Sequence, residues 1–306
     1  MKSQRLILSL TGFLFTVFLF PALSAGAADT GFSLRVLGSG GPGNNPQRAE
    51  PSVLLRLGDD HILVDMGNRS QAGLAEAGLR PNELSALFIT HHHLDHEQEF
   101  APILAGSLMG RKAPLVVGPP GIKALADFVV SFYRSDIAYR RANIGVAGAI
   151  TVPEVREVQG GEEFSIRGIN VKTAAVNHSI ETIAYRFEKD GRSVVVSGDL
   201  YYSESLVNLA KNADILILDG GALPSGTPNT KNQPTHQKAK AVQTGDRQRA
   251  HSTFEEVLST VVSTKAKMVV LTHLPARTID EGYVKSAFSS AGANCTIVFA
   301  RDGLEL

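Results

Sequence analysis

Tryptophan is absent from the 306-residue chain, and cysteine occurs once, as Cys295. A single cysteine excludes an internal disulfide, so the folded chain must be stabilised by its hydrophobic core or by a bound ligand. Cys295 begins the apolar run Cys295–Ala300, which predicts that it is a small buried residue rather than a reactive thiol.

Net charge is also absent, since 30 Lys and Arg residues balance 30 Asp and Glu residues. This balance argues against a broad surface that binds a polyanion such as nucleic acid, although it does not exclude a local basic patch. Two poorly patterned segments, Arg134–Thr151 and Pro224–Arg249, carry clustered Lys and Arg. The first segment is predicted to be a loop or lid and the second a long loop, and their charges are either simply solvated or attract an anionic substrate.

The N-terminus has the pattern of a secretory signal peptide. The apolar run Leu6–Phe20 follows Lys2 and Arg5 and precedes the small residues Ser24–Ala28, which favours cleavage after Ala27. Because the run is nearly long enough to span a bilayer, an uncleaved anchor is the alternative. We therefore predict a signal peptide at residues 1–27 and one domain at residues 28–306. The mature protein is expected to be periplasmic or secreted, without stable membrane association.

The remaining chain alternates short apolar runs with Gly, Pro and Asn turns, a mixture of α and β in which sheets need helices on their outer faces. The motif Ser252-Thr253-Phe254-Glu255 is predicted to begin a helix as a capping box. The other predicted helices are Gln71–Ala77, Glu97–Met109, Ile122–Tyr133, Glu204–Lys211 and Glu281–Ala291. The predicted strands include Ser52–Leu57, His61–Asp65, Ala86–Thr90, Pro114–Val117, Ile169–Ala175, Ile183–Phe187, Ser193–Val196, Ile215–Leu218 and Met268–Leu271.

The segment Thr90–His96 holds four histidines and one aspartate directly after the apolar run Leu84–Ile89. Imidazole and carboxylate groups are the ligands that suit zinc and related divalent metals. In an extended segment His91 and His93 can point the same way, and the turn that follows can supply further ligands. We predict that this segment serves two adjacent ions, and that His92 points away and packs or orients its neighbours.

Three more candidate ligands each follow a predicted strand. His178 comes after Val171–Val176, Asp199 follows Val194–Gly198, and His273 follows Met268–Thr272. Loops at strand ends, held by a rigid sheet, are where binding sites are usually built.

In order and spacing, these residues resemble the metal-ligand series of the metallo-β-lactamase superfamily. The resemblance implies an α+β fold, a four-layer αββα sandwich with two metals at one edge between two sheets. It further implies two zinc ions, although other divalent metals stay open. One ion would be held by His91, His93 and His178, the other by Asp95, His96 and His273, and Asp199 would bridge them.

The glycine-rich opening Leu37–Pro42, the turn Gly118–Gly121 and the motif Ala250–Thr253 resemble the ribonuclease Z and arylsulfatase-like branch. In that branch the histidine of His-Ser-Thr assists catalysis and is oriented by an acidic residue at a strand end. The resemblance assigns these roles to His251 and Asp219, although the branch's usual His-Glu-Ala-Thr reads Leu-Asp-Gly-Gly here.

Two features depart from the tRNA-processing members. His178 and Asp199 are only 21 positions apart, enough for a hairpin but not for a tRNA-gripping arm. The family's Asp-Cys-Gly-Glu-Gly-Thr-Gln signature reads Asp-Met-Gly-Asn-Arg-Ser-Gln at residues 65–71. We therefore expect the substrate to be a small anionic ester rather than tRNA. The sequence is compatible with either a monomer or a homodimer.

Two ions sharing Asp199 would lower the pKa of a bridging water and polarise an ester oxygen. Asp95 could take up a proton, and His251 could donate one to the leaving oxygen. The sequence thus predicts an exported binuclear-zinc hydrolase of phosphodiesters or aryl sulfates. One alternative is a lactone or β-lactam hydrolase that uses the same metals. Asp199 argues against a β-lactamase, which generally lacks this bridging residue, but not against a lactonase. The other alternative is a non-catalytic metal-binding protein.

Overall fold

The structure is a computed structural model that describes residues 31–43, 45–224 and 249–306. The predicted signal peptide and nearly all of the predicted loop Pro224–Arg249 lie outside the described residues. In the described part of the chain, no helix is both long enough and apolar enough to cross a membrane.

Thirteen strands of the described chain form two sheets. The first sheet has six strands in the order of the chain, and the second has seven strands in the reverse order, from β13 to β7. The first sheet contains β1 (Phe32–Gly38), β2 (Ser52–Leu57), β3 (Asp60–Val64), β4 (Ala86–Phe88), β5 (Leu115–Gly118) and β6 (Val155–Glu157). The second contains β7 (Glu163–Ile166), β8 (Ile169–Val176), β9 (Thr182–Lys189), β10 (Arg192–Val196), β11 (Ile215–Asp219), β12 (Met268–Thr272) and β13 (Thr296–Phe299).

Helices follow several strands of both sheets. They are α1 (Ser70–Glu76), α2 (Leu94–Glu97), α3 (Phe100–Ser107), α4 (Ile122–Phe132), α5 (Arg134–Asn143), α6 (Glu204–Leu209), α7 (Phe254–Thr264) and α8 (Glu281–Ser290), with a short 3₁₀ turn at Pro81–Glu83. Each of α1 to α5 lies in the chain between strands of the first sheet or just before β6, and α6 to α8 lie between strands of the second.

The strand residues alternate between two apolar layers, as a pleated strand requires when it is buried on both faces. In β10, Val194 and Val196 pack in the core between the two sheets, whereas Val195 packs in a separate core under α6, α7 and α8. Leu54 in β2 likewise points away from the central core, into a third core with α1, α3 and α4. The result is the predicted order of layers, helices–sheet–sheet–helices.

Contacts between the sheets fix the position of the histidine-rich segment. The ring of Phe88 in β4 lies 5.0 Å from the rings of both Tyr185 and Phe187 in β9, edge to face. The Tyr185 hydroxyl donates a hydrogen bond of 2.7 Å to the carbonyl oxygen of Ile89. The backbone N–H of Ile183 donates to the carbonyl oxygen of Thr90 at 2.9 Å. The second sheet therefore holds the chain just before residue 91.

The prediction of a loop across Arg134–Thr151 was wrong for its first half, which is α5. The helix presents only Ile137 and Arg141 to the core, so its apolar pattern is too sparse to read from sequence. The buried guanidinium of Arg141 donates to the carbonyl oxygens of Leu108 and Ala149, at 2.9 and 3.2 Å. At this inward position of α5 the sequence has an arginine, whereas an apolar residue there would have indicated a buried helix face. Strand β6 was also not predicted.

The predicted helix Glu97–Met109 is α3, which begins later, at Phe100; Glu97 is the last residue of α2, and Gln98 and Glu99 form a break between the two helices. The carboxylate of Glu99 accepts the backbone N–H groups of Arg69 and Gln71, both at 2.7 Å. These are N-terminal N–H groups of α1 that have no partner within their own helix. The break turns Glu99 toward them.

The capping box of α7 lies one residue later than predicted. Thr253 is the N-cap: its hydroxyl accepts the N–H of Glu256, and the Glu256 carboxylate accepts the N–H of Thr253 at 3.0 Å. Ser252 is instead buried, and its hydroxyl donates to the carbonyl oxygen of Leu200 at 3.2 Å. Glu255 therefore has no part in the capping box.

Candidate metal centre

The histidine and aspartate candidates lie at one edge of the two sheets, each on a connection that leaves a strand. His91, His93, Asp95 and His96 follow β4 of the first sheet, with Asp95 and His96 in the short helix α2. His178, Asp199 and His273 follow β8, β10 and β12 of the second sheet. The two sheets together therefore assemble one cluster.

The first group of possible ligands consists of His91, His93, His178 and Asp199. His91 Nε2 lies 3.0 Å from His93 Nδ1, which lies 3.1 Å from His178 Nε2. His91 Nε2 is 3.9 Å from Asp199 Oδ2. Ligands about 2.1 Å from a tetrahedral zinc ion are separated from one another by about 3.4 Å, so these separations match a shared cation.

The second group consists of Asp95, His96, Asp199 and His273. His96 Nε2 lies 3.3 Å from Asp199 Oδ1 and 3.6 Å from Asp95 Oδ2. His273 Nε2 lies 3.2 Å from Asp199 Oδ2 and 3.3 Å from Asp95 Oδ2. Because Asp199 belongs to both groups, its carboxylate can bridge two ions.

Outward hydrogen bonds orient the rings of this cluster. His178 Nδ1 lies 2.7 Å from the carbonyl oxygen of Ala250, which can only accept, so Nδ1 carries the proton and Nε2 its lone pair. The Thr90 hydroxyl lies 2.9 Å from Asp65 Oδ2 and donates to it, so Thr90 Oγ1 accepts from His91 Nδ1 at 3.0 Å. Such outer partners fix the tautomer of a metal-binding histidine.

Asp65 was missed as a functional candidate. It receives the backbone N–H of Thr90 at 2.8 Å, the Thr90 hydroxyl, and Nδ1 of His96 at 2.8 Å. It therefore orients His96 directly and His91 through Thr90. The signal was present in the sequence, because Asp65 is the last residue of the predicted strand His61–Asp65 and so lies at a strand end, as Asp199 and Asp219 do.

The electrostatics of the two groups differ. Burial lowers the pKa values of His91, His93 and His178, which favours the neutral, metal-binding form of each ring. Burial alone would raise the pKa of Asp199, but His273 and His96 lower it well below its ordinary value. Burial also opposes the charged form of His96, yet Asp199 and Asp65 raise its pKa well above the usual range. The second group is thus built to hold positive charge.

A divalent metal fits this donor set. His96 Nε2 is buried and has no hydrogen-bond partner among the described residues, although it faces two carboxylates. In the first group, the lone pairs of His91 Nε2 and His178 Nε2 both point toward His93 Nδ1. Neutral imidazole and carboxylate are the ligands that zinc takes. A cation in each group would bind the nitrogen and oxygen lone pairs that point into the cluster and are not used in the outward hydrogen bonds.

His251 and Asp219 lie beside the cluster as a hydrogen-bonded pair. His251 Nδ1 donates to Asp219 Oδ2 at 2.8 Å, and Asp219 also accepts the N–H groups of Leu200 and Gly221, at 3.2 and 2.8 Å. Burial lowers the pKa of His251, but Asp219 outweighs it and raises the pKa to about 9. His251, Asp219, Asp199 and His273 could also be grouped as ligands. The 2.8 Å contact instead holds a proton between His251 and Asp219, which favours a hydrogen-bonded pair.

The structure brings together every residue that the sequence singled out for the site. His92 is not part of the cluster: its Nδ1 contacts Glu97 Oε2 at 2.7 Å, and its ring lies against Gly121. His61 is on β3, where Nδ1 lies 3.2 Å from the carbonyl oxygen of Glu83. Cys295 is only partly buried, which corrects its prediction as a fully buried residue. His236 lies outside the described residues.

Comparison with protein families gives a match over most of the chain. The profile of the β-lactamase superfamily domain matches residues 61–274. Ribonuclease Z of Mycobacterium bovis (strain BCG / Pasteur 1173P2) is 36% identical over 193 residues, which cover 60% of this chain and 68% of that protein. Ribonuclease Z of Mycobacterium sp. (strain KMS) is 31% identical over 250 residues, 78% of this chain and 82% of that protein.

Solved structures share the fold at low sequence identity. The metallo-β-lactamase fold protein YhfI from Bacillus subtilis superposes with a TM-score of 0.66 at 17% identity, over 90% of this chain and 98% of that one. The short form of human tRNase Z gives a TM-score of 0.63 at 20% identity, over 90% and 98% of the two chains.

Proposed function

The chain belongs to the β-lactamase superfamily as a ribonuclease Z-like, metal-dependent hydrolase, and from this premise we propose that it cleaves small phosphodiesters or aryl sulfate esters with two zinc ions. The observation that carries the proposal is a pair of donor groups that share Asp199, with a histidine–aspartate pair next to them. Phosphodiesters and sulfate monoesters both present a tetrahedral anionic centre, so one such site can serve either class.

The residues divide into those that hold metal and those that move protons. His91, His93, His178 and Asp199 would hold one zinc ion, and Asp95, His96, His273 and Asp199 the other. Bound divalent ions lower the pKa of water and polarise ester oxygens. The His273 hydrogen bond lowers the pKa of Asp95 although burial opposes this, so Asp95 is ionised and can accept a proton.

His251 is the proton donor for the leaving group. Its Nδ1 is bonded to Asp219, and its Nε2 has no partner among the described residues. The carboxylate stabilises the imidazolium, which carries a proton at Nε2 that can pass to the leaving oxygen. Because Asp219 also accepts two backbone N–H groups, it holds the ring in one orientation.

A small ester is favoured over tRNA by the segment between His178 and Asp199. This interval consists of β9 and β10 joined at Asp190 and Gly191, a tight hairpin that leaves no residues for an extended arm. We further propose that the protein acts in the periplasm or outside the cell, which rests on the signal-peptide pattern of residues 1–27. Mass spectrometry of the N-terminus of expressed protein tests that step, and a mature chain that begins before residue 20 would contradict it.

The proposed activity is tested on residues 28–306 loaded with zinc. Bis(p-nitrophenyl) phosphate, p-nitrophenyl sulfate, a lactone and nitrocefin are offered with and without a chelator, and bound metal is counted by mass spectrometry. We expect about two zinc ions per chain and chelator-sensitive turnover of a phosphate or sulfate ester. Turnover of nitrocefin or the lactone alone would assign the site to carbonyl chemistry, and inactivity on the whole panel would favour a metal-binding role.

A further inference from the structure

A pocket of about 240 Å³ opens beside the metal centre. His251 and His273 line it on the side of the cluster. The backbone around Gly41 and Pro42 forms one wall, and Leu274, Pro275 and Ala276 form the other. Pockets for drug-sized ligands are about 300–1,000 Å³, so this one has room for a smaller group.

The two walls are fixed to each other and to the centre. The backbone N–H of Leu274 donates to the carbonyl oxygen of Ser39 at 2.9 Å, just before the glycine-rich turn. Asp302 accepts the backbone N–H and the hydroxyl of Ser39, at 3.0 and 2.7 Å. A Cβ atom at Gly41 would lie 2.6 Å from Cε1 of His273, so the main chain packs directly on that ring. The pocket is therefore preformed.

The lining is uncharged apart from the two histidines. The described residues that form it are otherwise glycine, proline, alanine and leucine, with one asparagine, Asn45. Among these lining residues there is no Lys or Arg to pair with an anion. An unpaired carboxylate or phosphate in an apolar pocket loses its hydration without compensation.

The position of His251 decides which part of a substrate occupies this pocket. Its Nδ1 is held by Asp219 at 2.8 Å, so only its other nitrogen can donate to a substrate. The leaving oxygen must lie within hydrogen-bond reach of that nitrogen. The group attached to the leaving oxygen then extends into the space that His251 lines.

On this basis, and resting on the proposed function, we propose that the leaving group of the substrate is a small, uncharged alcohol or phenol held between the Gly41 and Leu274 walls. An RNA leaving strand would bring one negative charge per nucleotide. Apart from the His251 imidazolium, which faces the leaving oxygen, the described walls offer no cation for those charges. The pocket thus selects an ester of one-ring size, and Ala276 lies at a specificity-determining position.

The proposal is tested with two symmetric phosphodiesters of matched shape, bis(4-carbamoylphenyl) phosphate and bis(4-carboxyphenyl) phosphate. They release phenols that differ in the charge of the ring substituent and, because carbamoyl withdraws electrons more strongly than carboxylate, in acidity, so each kcat/KM is divided by the rate of uncatalysed hydrolysis of the same ester. We expect zinc-loaded protein to show kcat/KM at least about tenfold higher for the carbamoyl ester. Product release is followed by chromatography at several ionic strengths, which separates pocket selectivity from long-range charge effects.

A charge placed in the wall gives the second measurement. Ala276 is exposed, so Ala276→Lys should fold and should lower the preference for the carbamoyl ester roughly fivefold by pairing with the carboxylate. Ser290→Lys, on the exposed surface of α8 and outside the pocket lining, is the matched control and should leave the preference unchanged.

The outcomes separate this inference from the proposed function. Turnover of both esters at equal rates, preference for the carboxylate, or a preference that Ala276→Lys does not move would overturn the inference and leave the phosphodiesterase activity standing. Turnover of bis(p-nitrophenyl) phosphate but of neither test ester would also overturn the inference. Lack of turnover of all three phosphodiesters and of p-nitrophenyl sulfate would overturn the proposed function itself.

Discussion

Asp65 connects the first sheet to ligands of both metal groups. Its backbone φ of 58° lies in the left-handed region, a conformation that costs a non-glycine residue of order 1 kcal/mol and persists only where surroundings fix it. Here the contacts with Thr90 and His96 fix it. The chain thus holds a strained aspartate in place in order to orient two histidines.

Asp65→Asn should weaken metal binding by about 10- to 100-fold, the usual effect of losing an outer partner of a ligand. The amide would face the proton on His96 Nδ1 with a donor or a weaker acceptor. Zinc affinity is measured by competition with a chromophoric chelator. Asp59→Asn is the control, since Asp59 is exposed on the adjacent turn, and equal zinc affinity in both variants would show that Asp65 has no orienting role.

His251→Ala should lower kcat by about 10²- to 10⁴-fold, the range for loss of a general acid, and leave about two zinc ions per chain. In wild type, activity should fall as the pH rises, because His251 loses the proton that it donates. We expect this fall at a pH below the metal-free pKa of about 9, because nearby cations lower the pKa of an imidazolium. The variant should lack that alkaline limb. His61→Ala is the control, and loss of zinc from His251→Ala would place His251 among the ligands.

At this scale the sequence was informative because ligands of a sheet-edge site follow strands. His178, Asp199 and His273 could each be found by that rule. Asp65 obeys the same rule, yet its partners Thr90 and His96 are 25 and 31 residues away, and no local pattern shows that contact.

Among the elements, α7 begins beside His251 and depends on its cap. Thr253 and Glu256 satisfy two N–H groups at its first turn. Because His251 is only two residues before the cap, the start of α7 sets the position of the proton donor.

Thr253→Ala should lower the free energy of unfolding by about 1 kcal/mol, the typical value of an N-cap. Urea denaturation measures it at equal zinc loading. Glu255→Ala is the control because Glu255 takes no part in the capping box, and it should change stability by less than about 0.5 kcal/mol. A larger loss for Glu255→Ala than for Thr253→Ala would restore the register expected from the sequence.

Element types were predicted better than element ends. Either Ser252 or Thr253 could cap α7, and the choice depends on a tertiary contact. The Ser252 hydroxyl donates a hydrogen bond to the carbonyl oxygen of Leu200, 52 residues away, and Thr253 is therefore the cap. Helix α5 was missed because its two inward residues include an arginine. Both failures have one cause, since tertiary contacts rather than local propensity decide the outcome.

For the whole molecule, the metal centre joins the two sheets. The first sheet delivers His91, His93, Asp95 and His96, and the second delivers His178, Asp199 and His273. Metal that binds only the folded state adds its binding free energy to stability. The edge of the sandwich is therefore expected to loosen without metal.

Removal of metal by a chelator should lower Tm by at least about 5 °C, since occupancy at 100 times Kd contributes about 2.7 kcal/mol per site. Scanning calorimetry measures the shift, and zinc should reverse it. Asp199→Ala, which removes the shared ligand, is the control and should show a much smaller response to chelator. An unchanged wild-type Tm would mean that the sheets dock without the ions.

The division of ligands between the sheets also determines when a growing chain can capture metal. Synthesis completes the first donor group only when Asp199 is made. The second group waits until His273, which follows β12, the sixth of the seven strands of the second sheet to be synthesised. A nascent chain that ends between these two residues contains the complete first donor group. Of the second group it contains Asp95, His96 and Asp199 but still lacks His273. Full metal loading of these two donor groups would thus be a late event, and it would report that both halves of the sandwich have been made and joined.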